Sequence, residues 1–184
     1  MSEEERHPGS LESLTAEELM IPLDKYPHIP YWFTLRQAIV ELENSEIEIG
    51  GRKSLPRVVL VFDEKYRLMG MARRRDILKG LEPHYLTAGA YEGQRKLFDV
   101  EVDANLSDIS REKLLNHIKQ RAESPVGEFM TPIARTVEHG DNIIKIIDEM
   151  VKNDLDLLPV MKDDKVAGVV RSVDVFHNIA RWLL

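Results

Sequence analysis

Cysteine is absent from the 184 residues, which removes disulfides, thiolate metal ligation and a cysteine nucleophile together. No run approaches the roughly 18 apolar residues of a membrane span. The opening residues, Met1-Ser2-Glu3-Glu4-Glu5-Arg6, are acidic and lack the basic-then-apolar pattern of an export signal. Positive charge is in deficit: a net charge of −7 leaves no broad basic footprint for nucleic acid. The six histidines (His7, His28, His84, His117, His139 and His177) show no metal-ligand spacing. There is no HExxH, GxSxG, P-loop, or GxGxxG between a strand and a helix. These absences set the expectation of a soluble cytoplasmic protein that is not an enzyme and holds no metal.

What is present is repetition. Gly70-Met71-Ala72-Arg73-Arg74-Arg75-Asp76-Ile77-Leu78 is echoed by Gly168-Val169-Val170-Arg171-Ser172-Val173-Asp174-Val175-Phe176, with the same spacing from glycine to arginine to aspartate. Each copy reads as a short apolar strand turning into a helix with an acid in its first turn. A unit of about 60 residues is marginal alone, so the copies are expected to share a core.

The surrounding elements repeat as well. Thr15-Ala16-Glu17-Glu18 is a capping box opening a short helix that Pro22 ends. Lys25 to Phe33 reads as extended. Thr34-Leu35-Arg36-Gln37 is a second capping box, and Leu35, Ala38, Ile39 and Leu42 follow at helical spacing. Gly50 to Ser54 reads as a loop, Val58 to Phe62 as a buried strand, Leu68 to Arg73 as another strand, and Asp76 to Leu81 as a helix. In the second copy Ser124-Pro125 predicts a helix start, and Thr136-Val137 is extended. Asp141 is placed as the cap of a helix carrying Ile143, Ile146, Ile147 and Met150. Leu157 to Met161 and Val166 to Arg171 are strands, and Ser172 is placed as the cap of the last helix. The first copy is longer by an insertion around Ile49 to Leu55.

The chain therefore divides into a mobile tail (1–13), a first repeat (14–82), an inter-repeat insert (83–123) and a second repeat (124–184). Within the insert, Phe98 to Asp103 alternates as a half-buried strand would, with a loop as the alternative. Its Asp99, Glu101 and Asp103 read as a solvated acidic face rather than a cation site. Ser107 to Glu123 reads as a helix with Leu114, Leu115, Ile118 and Ala122 on one face. At about 40 residues the insert is too long for a simple linker and should pack on the repeats.

With both copies aligned, the chain resembles a tandem pair of CBS (cystathionine-β-synthase type) domains, a Bateman module. The resemblance rests on Glu18-Leu19-Met20-Ile21-Pro22 with Phe129-Met130-Thr131-Pro132, on the helix starts Thr34-Leu35 and Asp141-Asn142-Ile143, on Leu60-Val61-Phe62-Asp63 with Leu158-Pro159-Val160-Met161, and on the two glycine-to-aspartate stretches. It implies an α/β (α+β) fold: two βαββα repeats with pseudo-two-fold symmetry, their sheets face to face. It also implies clefts for an adenosine-containing ligand (AMP, ADP, ATP or S-adenosylmethionine) and association into a homodimer. The module would sense or regulate and act on a protein partner in trans. The alternative is a ligand-free dimerisation scaffold.

Asp174 and Asp76 fit the ribose role such modules give this aspartate, since a first-turn carboxylate is held ionised by the helix dipole. Pro159 with Val160, Ile133-Ala134 and His28-Ile29 fit an adenine slot. Arg73 and Arg171 stand where such modules often carry a phosphate-binding hydroxyl. Three outcomes are open for them: a bidentate phosphate contact, an outward orientation, or filling the cleft and pairing with an acid. Ser172 sits one residue late for the hydroxyl role. Arg73-Arg74-Arg75 with Lys79 is the one dense basic run, and solvated strand-end and helix residues are preferred there over a polyphosphate site. The apolar face of Phe176, Ile179, Ala180, Leu183 and Leu184 suits a dimer contact.

Overall fold

The computed structural model describes residues 13–49, 51–83 and 111–184. In chain order the first repeat holds α1 (Ala16–Leu19), β1 (Ile21–Pro22), a 3-10 turn (Leu23–Lys25), β2 (His28–Pro30) and α2 (Leu35–Asn44). It continues with β3 (Ile47–Ile49), β4 (Arg52–Ser54), β5 (Val58–Phe62), β6 (Leu68–Arg73) and α3 (Arg74–Leu81). After α4 (Arg111–Arg121), the second repeat holds a 3-10 turn (Val126–Glu128), β7 (Thr131–Pro132), β8 (Val137–Glu138), α5 (Ile143–Asn153), β9 (Leu157–Lys162), β10 (Lys165–Arg171) and α6 (Ser172–Leu183). Phe98 to Asp103 and most of the N-terminal tail lie outside the described residues.

Two four-stranded sheets form, ordered β2-β5-β6-β7 and β1-β10-β9-β8. Each repeat lends its first short strand to the other repeat's sheet. Pro22 pairs with Gly168 and Ile21 with Val169, while Pro132 pairs with Gly70 and Thr131 with Met71. The two exchanges use equivalent positions, so the repeats are related by a pseudo-two-fold axis. Both glycines of the repeated stretch are explained by this crossing. A Cβ on Gly70 would stand 2.7 Å from the Thr131 carbonyl oxygen, and one on Gly168 would run into the Ile21 carbonyl.

Period-2 alternation sorts the strand residues into layers. Val58, Leu60, Phe62 and Met71 of one sheet meet Ile21, Leu157 and Val169 of the other, forming the inter-sheet core. Val59, Val61 and Ala72 turn outward onto Leu35, Ala38, Leu42 and Ile77 of α2 and α3. Leu158, Val160 and Val170 turn onto α1, α5 and α6 through Ala16, Leu19, Ile143, Ile146 and Val175. β5 is buried along its whole length because both faces are covered, which is why it reads as an unbroken apolar run.

Several sequence expectations change. The stretch from Gly50 to Ser54 does not stay a loop: β3 and β4 pair antiparallel, Ile49 opposite Arg52, around a tight turn in which Gly51 has φ +75°. The first-repeat insertion is therefore a β-hairpin. Thr34 and Gln37 form the complete capping box, but the α5 cap is Asn142, whose side chain accepts from the Lys145 N–H, not Asp141. Asp141 instead accepts from the Glu138 N–H and pairs with Lys145. Ser172 is the first residue of α6 rather than its cap, and its hydroxyl donates to Asp156 Oδ1 at 3.1 Å. The Ser124-Pro125 start gives only a 3-10 turn, whose Val126 N–H donates to the Phe33 carbonyl. α3 begins at Arg74, two residues before the predicted start. Of the insert, the described helix α4 packs on the first repeat and on the start of the second. Arg121 of α4 donates to the Gly80 carbonyl at 2.9 Å and lies over the Phe129 ring, while Leu115 is exposed rather than part of a buried face.

Candidate functional site

Each repeat ends a strand on an arginine and starts a helix immediately after it, which brings the aspartate three residues on back over the strand end. In the second repeat Arg171 Nε donates to Asp174 Oδ2 at 2.6 Å and Nη2 to Oδ1 at 2.8 Å. In the first, Arg73 Nε donates to Asp76 Oδ2 at 2.8 Å and Nη2 to Oδ1 at 3.1 Å. Of the three orientations open to these arginines, both copies take the pairing with the acid. Each fork satisfies both carboxylate oxygens, the strongest neutralising geometry available to a carboxylate. Burial raises the Asp76 carboxyl, but the Arg73 side-chain and backbone donors outweigh it and hold Asp76 below the usual carboxylate range.

The halves differ in the third partner. Arg73 Nη2 also reaches Thr131 Oγ1 at 3.2 Å, a hydroxyl carried on the exchanged strand β7. The equivalent residue on β1 is Ile21, which has no hydroxyl. Arg171 Nη1 instead donates to Ser54 Oγ at 3.0 Å, from the hairpin. The hairpin thereby shields Arg171, whose side chain is 13% exposed against 51% for Arg73.

A cleft of about 470 Å³ opens beside the Arg171–Asp174 pair, between the hairpin of the first repeat and α6 of the second. Arg52, Ser54, Arg171, Asp174, His177, Asn178 and Arg181 line it with Ile49 and Val173. Arg52 Nη1 lies 2.9 Å from His177 Nδ1, tying the hairpin to α6. Tyr26 is buried in the inter-sheet core near the pair, and burial pushes its phenol far above the ordinary range, so it stays neutral.

The slot residues are dispersed. Ile133 borders the inter-sheet core, Pro159 is buried on β9 opposite Val169, and Ala134 is exposed. Val160 and Ile29 pack into the outer helical layers of their repeats. His28 is held by the Tyr26 carbonyl at 2.8 Å and the Tyr66 hydroxyl at 2.6 Å. Sequence reading missed Arg52, Ser54, His177 and Arg181. The paired glycines before Arg52 were a signal for a tight hairpin, but nothing local indicated what it would lie against. Among the described residues no group of three potential metal ligands occurs, and no helix is long and apolar enough to cross a membrane.

Two βαββα units that exchange strands, with a cleft beside the second glycine-to-aspartate stretch, define a tandem-repeat module. The second unit, residues 126–181, matches the family model described as CBS domain, and the chain as a whole has the fold of paired CBS domains. No curated protein matches it. Among solved structures, the CBS domain of a CBS domain containing membrane protein from Sphaerobacter thermophilus is similar with a TM-score of 0.62 at 15% identity, over 91% of this chain and 89% of that one. CBSX2, solved in complex with AMP, gives a TM-score of 0.58 at 16% identity, over 92% of this chain and 98% of that one. The cytosolic domain of the Mg2+ channel MgtE, solved in complex with ATP, gives 0.54 at 18% identity, over 89% of this chain and 48% of that one. At these identities the likeness establishes the fold.

Proposed function

We propose that the chain is a regulatory module that binds an adenosine phosphate in the Arg171–Asp174 cleft and acts on a protein partner in trans. The observation that carries this is the cleft itself, which lies between the repeats and is lined by three arginines against one carboxylate already neutralised by Arg171. That charge balance favours a phosphate-bearing nucleotide over S-adenosylmethionine, whose sulfonium is cationic. Two proteins of the same fold were solved with AMP and ATP, which supports the ligand class. On binding, Arg171 turns from Asp174 to the phosphate and frees the carboxylate for the ribose hydroxyls. Because Arg171 also holds Ser54, its release loosens the hairpin, and the partner reads that change.

Homodimerisation is the second part of the proposal. Leu78 on α3 and Phe176 on α6 occupy equivalent positions and are 66% and 67% exposed, with Leu183 continuing the α6 face. Equivalent apolar patches on pseudo-symmetric helices suit a second copy of the chain, since an isologous contact needs a self-complementary surface.

Thermal unfolding of the full chain against AMP, ADP, ATP and S-adenosylmethionine tests the ligand. A nucleotide at a hundred times its dissociation constant adds about 2.7 kcal/mol, and S-adenosylmethionine adds nothing. If no nucleotide shifts the transition, the second reading takes over: a ligand-free scaffold. The bidentate pairs at both aspartates favour that reading, because they fill the carboxylates without any ligand.

A further inference from the structure

The β3–β4 hairpin has no counterpart in the second repeat, where α5 ends at Asn153 and β9 begins at Leu157. Alternation along β4 puts Arg52 and Ser54 on one face and Lys53 on the other. Lys53 is bound to Glu46 at 2.7 Å, while Arg52 and Ser54 line the cleft. Across from them α6 presents His177 and Arg181 one turn apart. Among the described residues neither Arg52 nor Arg181 forms an ion pair, and the one acid lining the cleft, Asp174, has both oxygens taken by Arg171. The outer cleft is thus a concentration of positive charge in a chain of net charge −7. Solvated guanidinium groups held apart on two elements repel one another, and an anion between them relieves that repulsion while meeting the bidentate geometry of each.

We propose that the hairpin converts this cleft into a polyphosphate-selective site. Arg52, Arg181 and His177 hold the outer phosphates of a nucleoside di- or triphosphate, and Arg171 meets the phosphate nearest the ribose. The inference rests on the nucleotide reading above and deepens it: affinity depends on phosphate number, and one chain carries one such site. Among the described residues no hairpin lies over the Asp76 side, where Lys79 stands at the position equivalent to His177 and Pro83 at that of Arg181.

Titration calorimetry on the full chain, at fixed ionic strength and without divalent cations, tests this with AMP, ADP, ATP and inorganic tripolyphosphate. The expected result is affinity rising from AMP to ATP by about tenfold or more, with tripolyphosphate displacing ATP at one site per chain. The R52A/R181A double variant, whose replaced side chains are exposed, flattens that dependence while its urea midpoint reports whether the fold is kept. Equal affinity for AMP and ATP, or an undiminished ladder in the double variant, overturns the polyphosphate site and leaves the adenosine reading standing. Arginine-dependent binding of tripolyphosphate that adenosine phosphates do not exceed sinks the adenosine reading and keeps the site. Binding of none of the four overturns both.

Discussion

Arg171 grips both carboxylate oxygens of Asp174 at 2.6 and 2.8 Å, and the pair is nearly closed to solvent, with side-chain exposures of 13% and 7%. The equivalent Arg73–Asp76 pair has the same two-bond geometry, but its arginine is half exposed. Removing either arginine leaves a buried carboxylate, but Asp76 keeps the main-chain N–H of residue 73 and the Thr131 hydroxyl as donors. Arg171→Ala should therefore cost about 3 kcal/mol, and Arg73→Ala about 1 kcal/mol. Double-mutant cycles by urea unfolding read the coupling in each pair, and equal couplings would show that the hairpin does not shield Arg171.

Gly168 and Gly70 lie under the backbone of the exchanged strands, where a hydrogen fits and a methyl group does not. Gly168→Ala and Gly70→Ala should each destabilise by about 2 kcal/mol or more, because the obstructing atoms are backbone carbonyls that cannot move alone. Gly140, where an added Cβ would meet nothing within 4 Å, is the control and should change by less than about 0.5 kcal/mol. Denaturation midpoints of the three variants decide it.

Acid should loosen the first-repeat pair. Burial raises Asp76, but its Arg73 partners outweigh burial, so its folded pKa lies below the ordinary value of 3.8. A carboxylate lowered on folding contributes stability that is fully present above its unfolded pKa and is lost as pH falls through the folded one. The parent should therefore exceed Asp76→Asn in stability at pH 7, and the gap should narrow below about pH 4. Urea midpoints of the two proteins across that range measure the gap. Other titrating carboxylates are common to both and cancel in the difference. A constant gap would show that Asp76 acts through packing alone.

The apolar faces of α3 and α6 should control association. Phe176→Glu and Leu78→Glu place charge at exposed positions, so the fold survives while a helix-to-helix contact between copies does not. Sedimentation velocity should show a dimer in the parent and a monomer in the double variant. A parent that sediments as a monomer at tens of micromolar would remove the dimer from the proposal.

Most of the fold was legible in the sequence because the signals were local and occurred twice. The Thr34 capping box, the unbroken apolar run Val58 to Phe62 and the Ile143, Ile146, Met150 stripe each set an element through backbone propensity and periodicity. Cap identity was less legible: Ser172 and Asp141 are good cap residues, but the neighbouring Arg171 and Asn142 occupy those positions. Which strand face a residue takes was also not legible locally. Val160 and Ile29 pack into the helical layers, because one position of parity turns a side chain from the inter-sheet side to the helical side.

The sequence by itself determined that there are two copies of one unit, what elements each contains, and that an arginine precedes an aspartate by three residues at both helix starts. A residue's identity and its spacing along the chain suffice for such short-range relations. Only the tertiary structure decided that the first strand of each repeat crosses to the other sheet and that both arginines fold back onto their own aspartates. It also decided that a hairpin read as a loop brings Arg52 and Ser54 to Arg171, more than a hundred residues away. Those outcomes depend on which surfaces the two repeats bury against each other, and inter-sheet packing across distant parts of the chain settles that.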